Sequence, residues 1–157
     1  MAALTSDRNT EYSLGDLLSI PVAAGARIFA GSLVCSNPDG YAVPAADTAG
    51  LTFQGVATAA ADNRNGQDSA VRVVVRRRGR YRLDCASRLD QSALSALVYA
   101  MDEHTVAAAG DVDNDVLVGL VDRVESSDEC WVSVDAAVLA GKSWTEPTST
   151  TTTTQGA

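Results

Sequence analysis

Val71-Arg72-Val73-Val74-Val75-Arg76-Arg77-Arg78-Gly79-Arg80-Tyr81-Arg82-Leu83-Asp84 is the stretch on which the reading of this 157-residue chain turns. Read as an extended strand, its successive side chains point to opposite faces. One face carries Val71, Val73, Val75, Gly79, Tyr81 and Leu83, with Arg77 as its single charge. The other carries Arg72, Arg76, Arg78, Arg80 and Arg82, with Val74 as its single apolar member. The first face suits a core; the second offers a row of guanidinium groups. Gly79 marks a bend or bulge in the strand.

Outward from this strip the chain reads as a small domain with tails. Hydrophobic residues make up 46% and aromatics only 5%, so the core is built from small and β-branched side chains. The net charge is −8, from 12 basic and 20 acidic residues. Six of the basic residues lie between Arg72 and Arg82, where no acid occurs. Without them six basic groups remain against 20 acidic ones, a balance of −14. A basic strip on an acidic body suits an ordered assembly, in which the strip of one subunit meets an acidic surface on another. It suits a general nucleic-acid binder less well, because the body repels phosphate.

The arginine row has three readings: a solvated or internally paired strand face, a contact with an acidic protein surface, and a contact with nucleic acid. Arginine's planar fork binds carboxylate and phosphate alike, so residue type does not choose. Tyr81 is the only interleaved aromatic and lies on the opposite face, which argues against a single-strand stacking platform. The protein-surface reading is preferred, with Arg72, Arg76, Arg77, Arg78, Arg80 and Arg82 as interface residues.

Strand and turn signals fill the middle of the chain. Residues 14–22, with Leu17, Leu18, Ile20 and Val22, enter the core as a short strand or turn, and Arg27-Ile28-Phe29 is a brief extended piece. Ser32-Leu33-Val34-Cys35 and Tyr41-Ala42-Val43-Pro44 flank Asn37-Pro38-Asp39-Gly40, a strong turn signal, and predict a hairpin. Leu51, Phe53 and Val56 predict another strand, bent at Gly55. Leu94, Leu97, Val98 and Met101 have helical spacing, and Asp90 suits the cap. One short helix is therefore expected over about 90–96, with a hairpin after it. Strands over 116–121 and 130–134 close the sheet. The expected fold is mainly β, a compact barrel-like or sandwich-like domain with one short helix and extended termini. The expected organisation is an N-terminal arm over 1–12, a β-rich domain over 13–141 and a Thr-rich tail over 142–157.

Chemistry has little support. The lone histidine, His104, comes after Asp102 and Glu103 in a turn and reads as exposed. No G-x-S-x-G, P-loop, G-x-G-x-x-G or H-E-x-x-H motif occurs. Asp111-x-Asp113-x-Asp115 hints at calcium, but Val116 stands where an EF-hand turn needs glycine. Cys35, Cys85 and Cys130 are too widely spaced for a zinc motif and read as reduced thiols. No enzyme, metal or cofactor is expected. Asp7, Arg8 and Glu11 interrupt any apolar run near the start, so no signal peptide is expected, and no run approaches the length of a membrane span.

Several pieces in order resemble a known family. They are Pro21-Val22-Ala23-Ala24-Gly25, Gly31-Ser32-Leu33-Val34-Cys35, Asp39-Gly40-Tyr41-Ala42-Val43-Pro44-Ala45, Gly55-Val56-Ala57, Val71 through Arg82 with its Arg-Arg-Arg-Gly core, Val98-Tyr99 and Trp131-Val132. Together they resemble the small capsid cement, or head-decoration, proteins of tailed bacteriophages. The resemblance covers about residues 5–134 and leaves out the Thr-rich tail. It implies a β-rich fold with a short helix and no catalytic residues. It further implies a homotrimer on the outer capsid surface of the virion, made in the bacterial host cytoplasm. The implied partner is the major capsid protein, whose neighbouring subunits are clamped after the shell expands. The arm would touch the capsid, here through Leu4, Thr5, Asp7, Arg8 and Tyr12. The competing readings are a nucleic-acid-associated protein and a phage tail or baseplate accessory module.

Overall fold

Short runs of small apolar residues broken by glycine and polar turns favour strands over helices, and strands dominate the computed structural model, which describes residues 5–135. Leu4, the apolar stretch after Asp135 and the Thr-rich tail lie outside the described residues.

A first sheet has the strand order β1 (Leu17–Pro21), β7 (Arg72–Arg76), β5 (Thr52–Ala57), β3 (Leu33–Ser36) and β4 (Ala42–Pro44), all antiparallel. Its edges meet at one point, where Val22 bridges Ala42 in parallel. A two-stranded ribbon pairs β2 (Arg27–Ile28) with β6 (Ala61–Asp62). The remaining strands close on themselves as a barrel: β8 (Arg80–Cys85), β12 (Glu129–Ser133), β11 (Leu117–Val124), β9 (Leu97–Ala100) and β10 (Thr105–Ala107). Only the β8–β10 pair in this barrel is parallel.

The arginine strip is therefore two strands in two sheets, where the sequence reads as one bent strand. The alternation survives on both sides of the break. Val73 and Val75 are buried in the first sheet, Leu83 and Cys85 in the barrel. The break falls at Arg77-Arg78-Gly79, and Gly79 adopts φ 113°. Each end of the crossing is tied down. The Arg77 amide donates to the Asp16 carbonyl at 2.8 Å, and the Gly79 amide donates to Asp135 Oδ1 at 2.8 Å. Period-two patterning fixes which face is apolar but carries no mark of a change of sheet.

Two apolar clusters form the core. The larger fills the barrel with Leu83, Val98, Val106, Val118, Val121 and Val132, and continues through Leu33, Cys35, Phe53 and Val56 of the first sheet. The smaller gathers Ile20, Val22, Ile28, Val34, Val73 and Val75. Strand β3 thus contributes to both, with Leu33 and Cys35 on one face and Val34 on the other, which explains its unbroken apolar run.

The predicted hairpin is present as β3–β4, with Cys35 opposite Val43. Asn37 Oδ1 accepts the amides of Asp39 and Tyr41, at 3.1 and 2.9 Å, and holds the turn. The short helix is a single 3-10 turn, Gln91–Ala93, capped by Asp90, whose carboxylate accepts the Ser92 amide at 2.8 Å. It goes no further because Leu94 turns extended and Ser95 adopts φ 67°. Leu97 and Val98 then alternate as strand residues, Leu97 outward and Val98 inward, so the helical spacing of these leucines is not used. The hairpin expected after it is the β9–β10 pair.

Candidate docking surface

The arginines are held outward by the inward packing of their neighbours, but most are already engaged. Arg72 donates from Nε to Ser19 Oγ at 2.9 Å and from Nη2 to the Ser19 carbonyl at 2.7 Å. Arg78 pairs with Asp16 at 3.4 Å, Arg80 with Asp122 at 3.1 Å and Arg82 with Glu129 at 3.3 Å. The sequence reads the strip as acid-free, yet the fold supplies acids from β11, β12 and the residue before β1. These pairs are exposed and so contribute little to stability. Arg77 is half-buried, and its Nε has no hydrogen-bond partner among the described residues. Arg76 differs from the rest. Its guanidinium is exposed and has no ion pair or hydrogen bond among the described residues.

Arg76 stands on an open pocket of about 310 Å³ lined with Asp16, Leu17, Arg78 and Gly79. Strand pairing sets this arrangement, because Leu17 lies directly opposite Arg76 across β1–β7. The sequence places residues 14–22 in the core. Ile20 and Val22 are there, but Leu17 is 55% exposed and Leu14 68%. Upstream, Thr5, Asp7, Arg8 and Tyr12 lie on an exposed segment outside any strand or helix, with Tyr12 86% exposed. The arm runs in sequence into the pocket wall at Asp16 and Leu17, where the uncovered Leu17 side chain stands opposite Arg76. The pattern Tyr12, Leu14, Asp16, Leu17 was visible in the sequence. What it lacked was the register that turns Leu17 away from the core.

The other reactive groups are committed to structure. Asp102, Glu103 and His104 bring ligand atoms within 4.8 Å of one another. Asp102 caps the β9–β10 turn, accepting the His104 and Thr105 amides at 2.9 and 2.8 Å. Partial burial pushes its carboxyl up, and those hydrogen bonds, with the Thr105 hydroxyl and the nearby imidazole, outweigh it and hold the group below its ordinary value. His104 is exposed, with Nδ1 3.0 Å from Asp102 and Nε2 3.8 Å from Asp84. The three cysteines are free thiols and buried. A hydrogen bond with the Cys130 thiol pulls Cys85 down to about 7 against burial, while Cys130 is pushed up. Burial pushes Cys35 up to about 12.

The acidic loop also serves structure. Asp47 accepts the amides of Asp113 and Asn114, at 2.8 and 2.7 Å, and so clasps the 110–115 loop to the loop after β4. Asp111 accepts the hydroxyl of buried Ser87. The Asp113 amide bond, opposed by slight desolvation and aided by Asn114, lowers the Asp47 pKa. A depressed carboxylate contributes stability above its unfolded value, roughly 4, and loses it as pH falls through the lower folded value. Amide-exchange protection at Asp113 and Asn114 is therefore expected to hold from neutral pH to that region and then fall. Asp47→Ala should reduce it about tenfold at pH 7, as loss of a hydrogen bond implies. Equal protection in wild type and variant would remove the clasp.

No helix among the described residues is long and apolar enough to cross a membrane. No family model, curated protein or solved structure matches the chain.

Proposed function

We propose that this is a capsid cement protein of the tailed-phage type. It binds the outer surface of the expanded shell as an oligomer, a homotrimer by the family resemblance, and clamps neighbouring major capsid subunits. The observation that carries the reading is the open pocket where exposed Leu17 stands opposite Arg76, which has no ionic partner among the described residues. Apolar groups beside such a guanidinium fit a protein surface that presents an acidic side chain, because the apolar contact excludes water around the ion pair. An oligomer engages several shell subunits at once, so modest single contacts add to firm attachment. Binding only the expanded lattice stabilises that state by mass action.

The test is co-sedimentation of the purified protein with expanded, undecorated heads. Arg76→Glu should weaken binding by about tenfold or more, the equivalent of roughly 1.4 kcal/mol or more, while the unfolding midpoint stays unchanged. Unaltered attachment of this variant would remove Arg76 from the interface. Failure of the wild-type protein to bind heads or raise their thermal stability would end the capsid reading. Steeply salt-dependent binding to DNA in the same preparation would favour a nucleic-acid role instead.

A further inference from the structure

The barrel holds two thiols side by side. Cys85 ends β8 and Cys130 is the second residue of β12, and these strands are neighbours in the closed barrel. Their register sets Cys130 opposite Leu83, while the Cys85 amide donates to the Asp128 carbonyl at 2.7 Å. The two cysteines are therefore diagonal neighbours on one face. That face is inward, since Leu83, Cys85 and Cys130 all belong to the larger apolar cluster. The register brings the sulfurs together, and a hydrogen bond joins the two thiols.

The two members differ. The Cys130 thiol pulls Cys85 down to about 7; burial opposes this, a backbone hydrogen bond from Ser87 adds to it and Asp111 opposes it. Much of Cys85 is then thiolate at neutral pH, the nucleophilic form. Cys130 is pushed up by the same hydrogen bond and by burial, and keeps its proton. Cys85 also lies near the surface. Its amide is bonded to the exposed turn Ser126-Ser127-Asp128, and exposed Ala86 follows it. Local opening of that turn admits a small oxidant.

We propose that Cys85 and Cys130 are a redox-active dithiol, which a hydroperoxide oxidises to a disulfide linking β8 to β12 and a thiol reductant reopens. The Cys85 thiolate attacks one oxygen of hydrogen peroxide. The O–O bond breaks, and the departing hydroxide takes up the proton that Cys85 had released to solvent. The Cys130 sulfur then attacks the Cys85 sulfenic sulfur, the S–O bond breaks, and hydroxide leaves as water with the Cys130 proton. The thiol pair loses two electrons and one peroxide becomes two waters. Diagonal Cα atoms stand about 7–8 Å apart, a little beyond the usual disulfide span of roughly 4.4–6.8 Å. The link therefore draws the strands together slightly, at the point where β8 ends. It ties the first barrel strand in the chain to the last, with β9, β10 and β11 between them.

The test applies hydrogen peroxide to the folded full-length protein, alkylates the remaining thiols in denaturant and maps peptides without reduction. The expected result is a Cys85–Cys130 link within one chain, with Cys35 alkylated. Dithiothreitol should then restore all three thiols. In urea the same oxidation should spread over pairings that include Cys35. Retention of all three thiols in the folded protein overturns the proposal. So does a link to Cys35 or between chains, or an oxidised Cys85 that forms no link. Cys130→Ala removes the resolving thiol, so a 1,3-diketone should trap a sulfenic acid at Cys85, exceeding any Cys35 adduct by more than about tenfold. No adduct at Cys85 in the folded variant overturns its role as the attacking thiol. If the variant does not fold, peptide mapping of the wild-type protein decides.

Discussion

Gly55→Ala is expected to destabilise the protein by about 2–6 kcal/mol, from backbone strain and overpacking of roughly 1–3 kcal/mol each. Gly55 adopts φ 146°, a conformation that side-chain-bearing residues rarely take. A Cβ there would stand 2.5 Å from the Arg76 carbonyl oxygen and 3.3 Å from Val75 Cβ. The obstacle is backbone in a paired strand, with β1 on its other side, so it has no easy retreat. Urea unfolding should show a lowered midpoint at unchanged slope. A loss below about 1 kcal/mol would mean that β5 and β7 separate freely at this point, contrary to the usual cost of overpacking. Because the displaced carbonyl belongs to Arg76, the same variant should disturb the docking surface.

Asn63→Ala is expected to cost about 2 kcal/mol, on the scale of one kcal/mol for each of the two N–H donors lost. Asn63 is 1% exposed. Its Nδ2 lies within hydrogen-bond distance of three carbonyls, at 3.1 Å from Val22, 3.0 Å from Ala23 and 2.8 Å from Gln67. One amide thereby fastens the turn after β6 to the chain just past β1. Asn63→Asp should be worse than Ala at neutral pH, because it turns a carboxylate toward the same carbonyl oxygens without a donor. Thermal unfolding of the three proteins would establish the order. An aspartate variant more stable than the alanine variant would show that the site admits water or rearranges.

Much of the strand pattern was legible, for definite reasons. The β3–β4 turn carries Asn37, Pro38 and Gly40 at the places a turn requires. The inward set Val73, Val75 and Leu83 comes from period two. The change of sheet at Gly79 was not legible, because both sheets accept the same alternation. The helix over 90–96 shrank to one turn because Val98 packs as a strand residue, and spacing alone does not separate those cases. In the docking surface, the outward direction of Arg72, Arg76, Arg78, Arg80 and Arg82 was readable. Their partners were not, since Asp16, Asp122 and Glu129 arrive from segments distant in sequence. Only that long-range pairing singles out Arg76.

The hand-over at residues 77–79 also divides the chain in time. Every strand of the first sheet precedes it and every strand of the barrel comes after it. During synthesis the first sheet can complete its backbone pairing before any barrel strand has been made. Its Leu33, Cys35, Phe53 and Val56 nevertheless belong to a cluster finished only by Val118, Val121 and Val132. The early half can thus settle its register but not cover its apolar face, and the late half closes around a surface already in place. The two sheets are sequential in the chain and inseparable in the core.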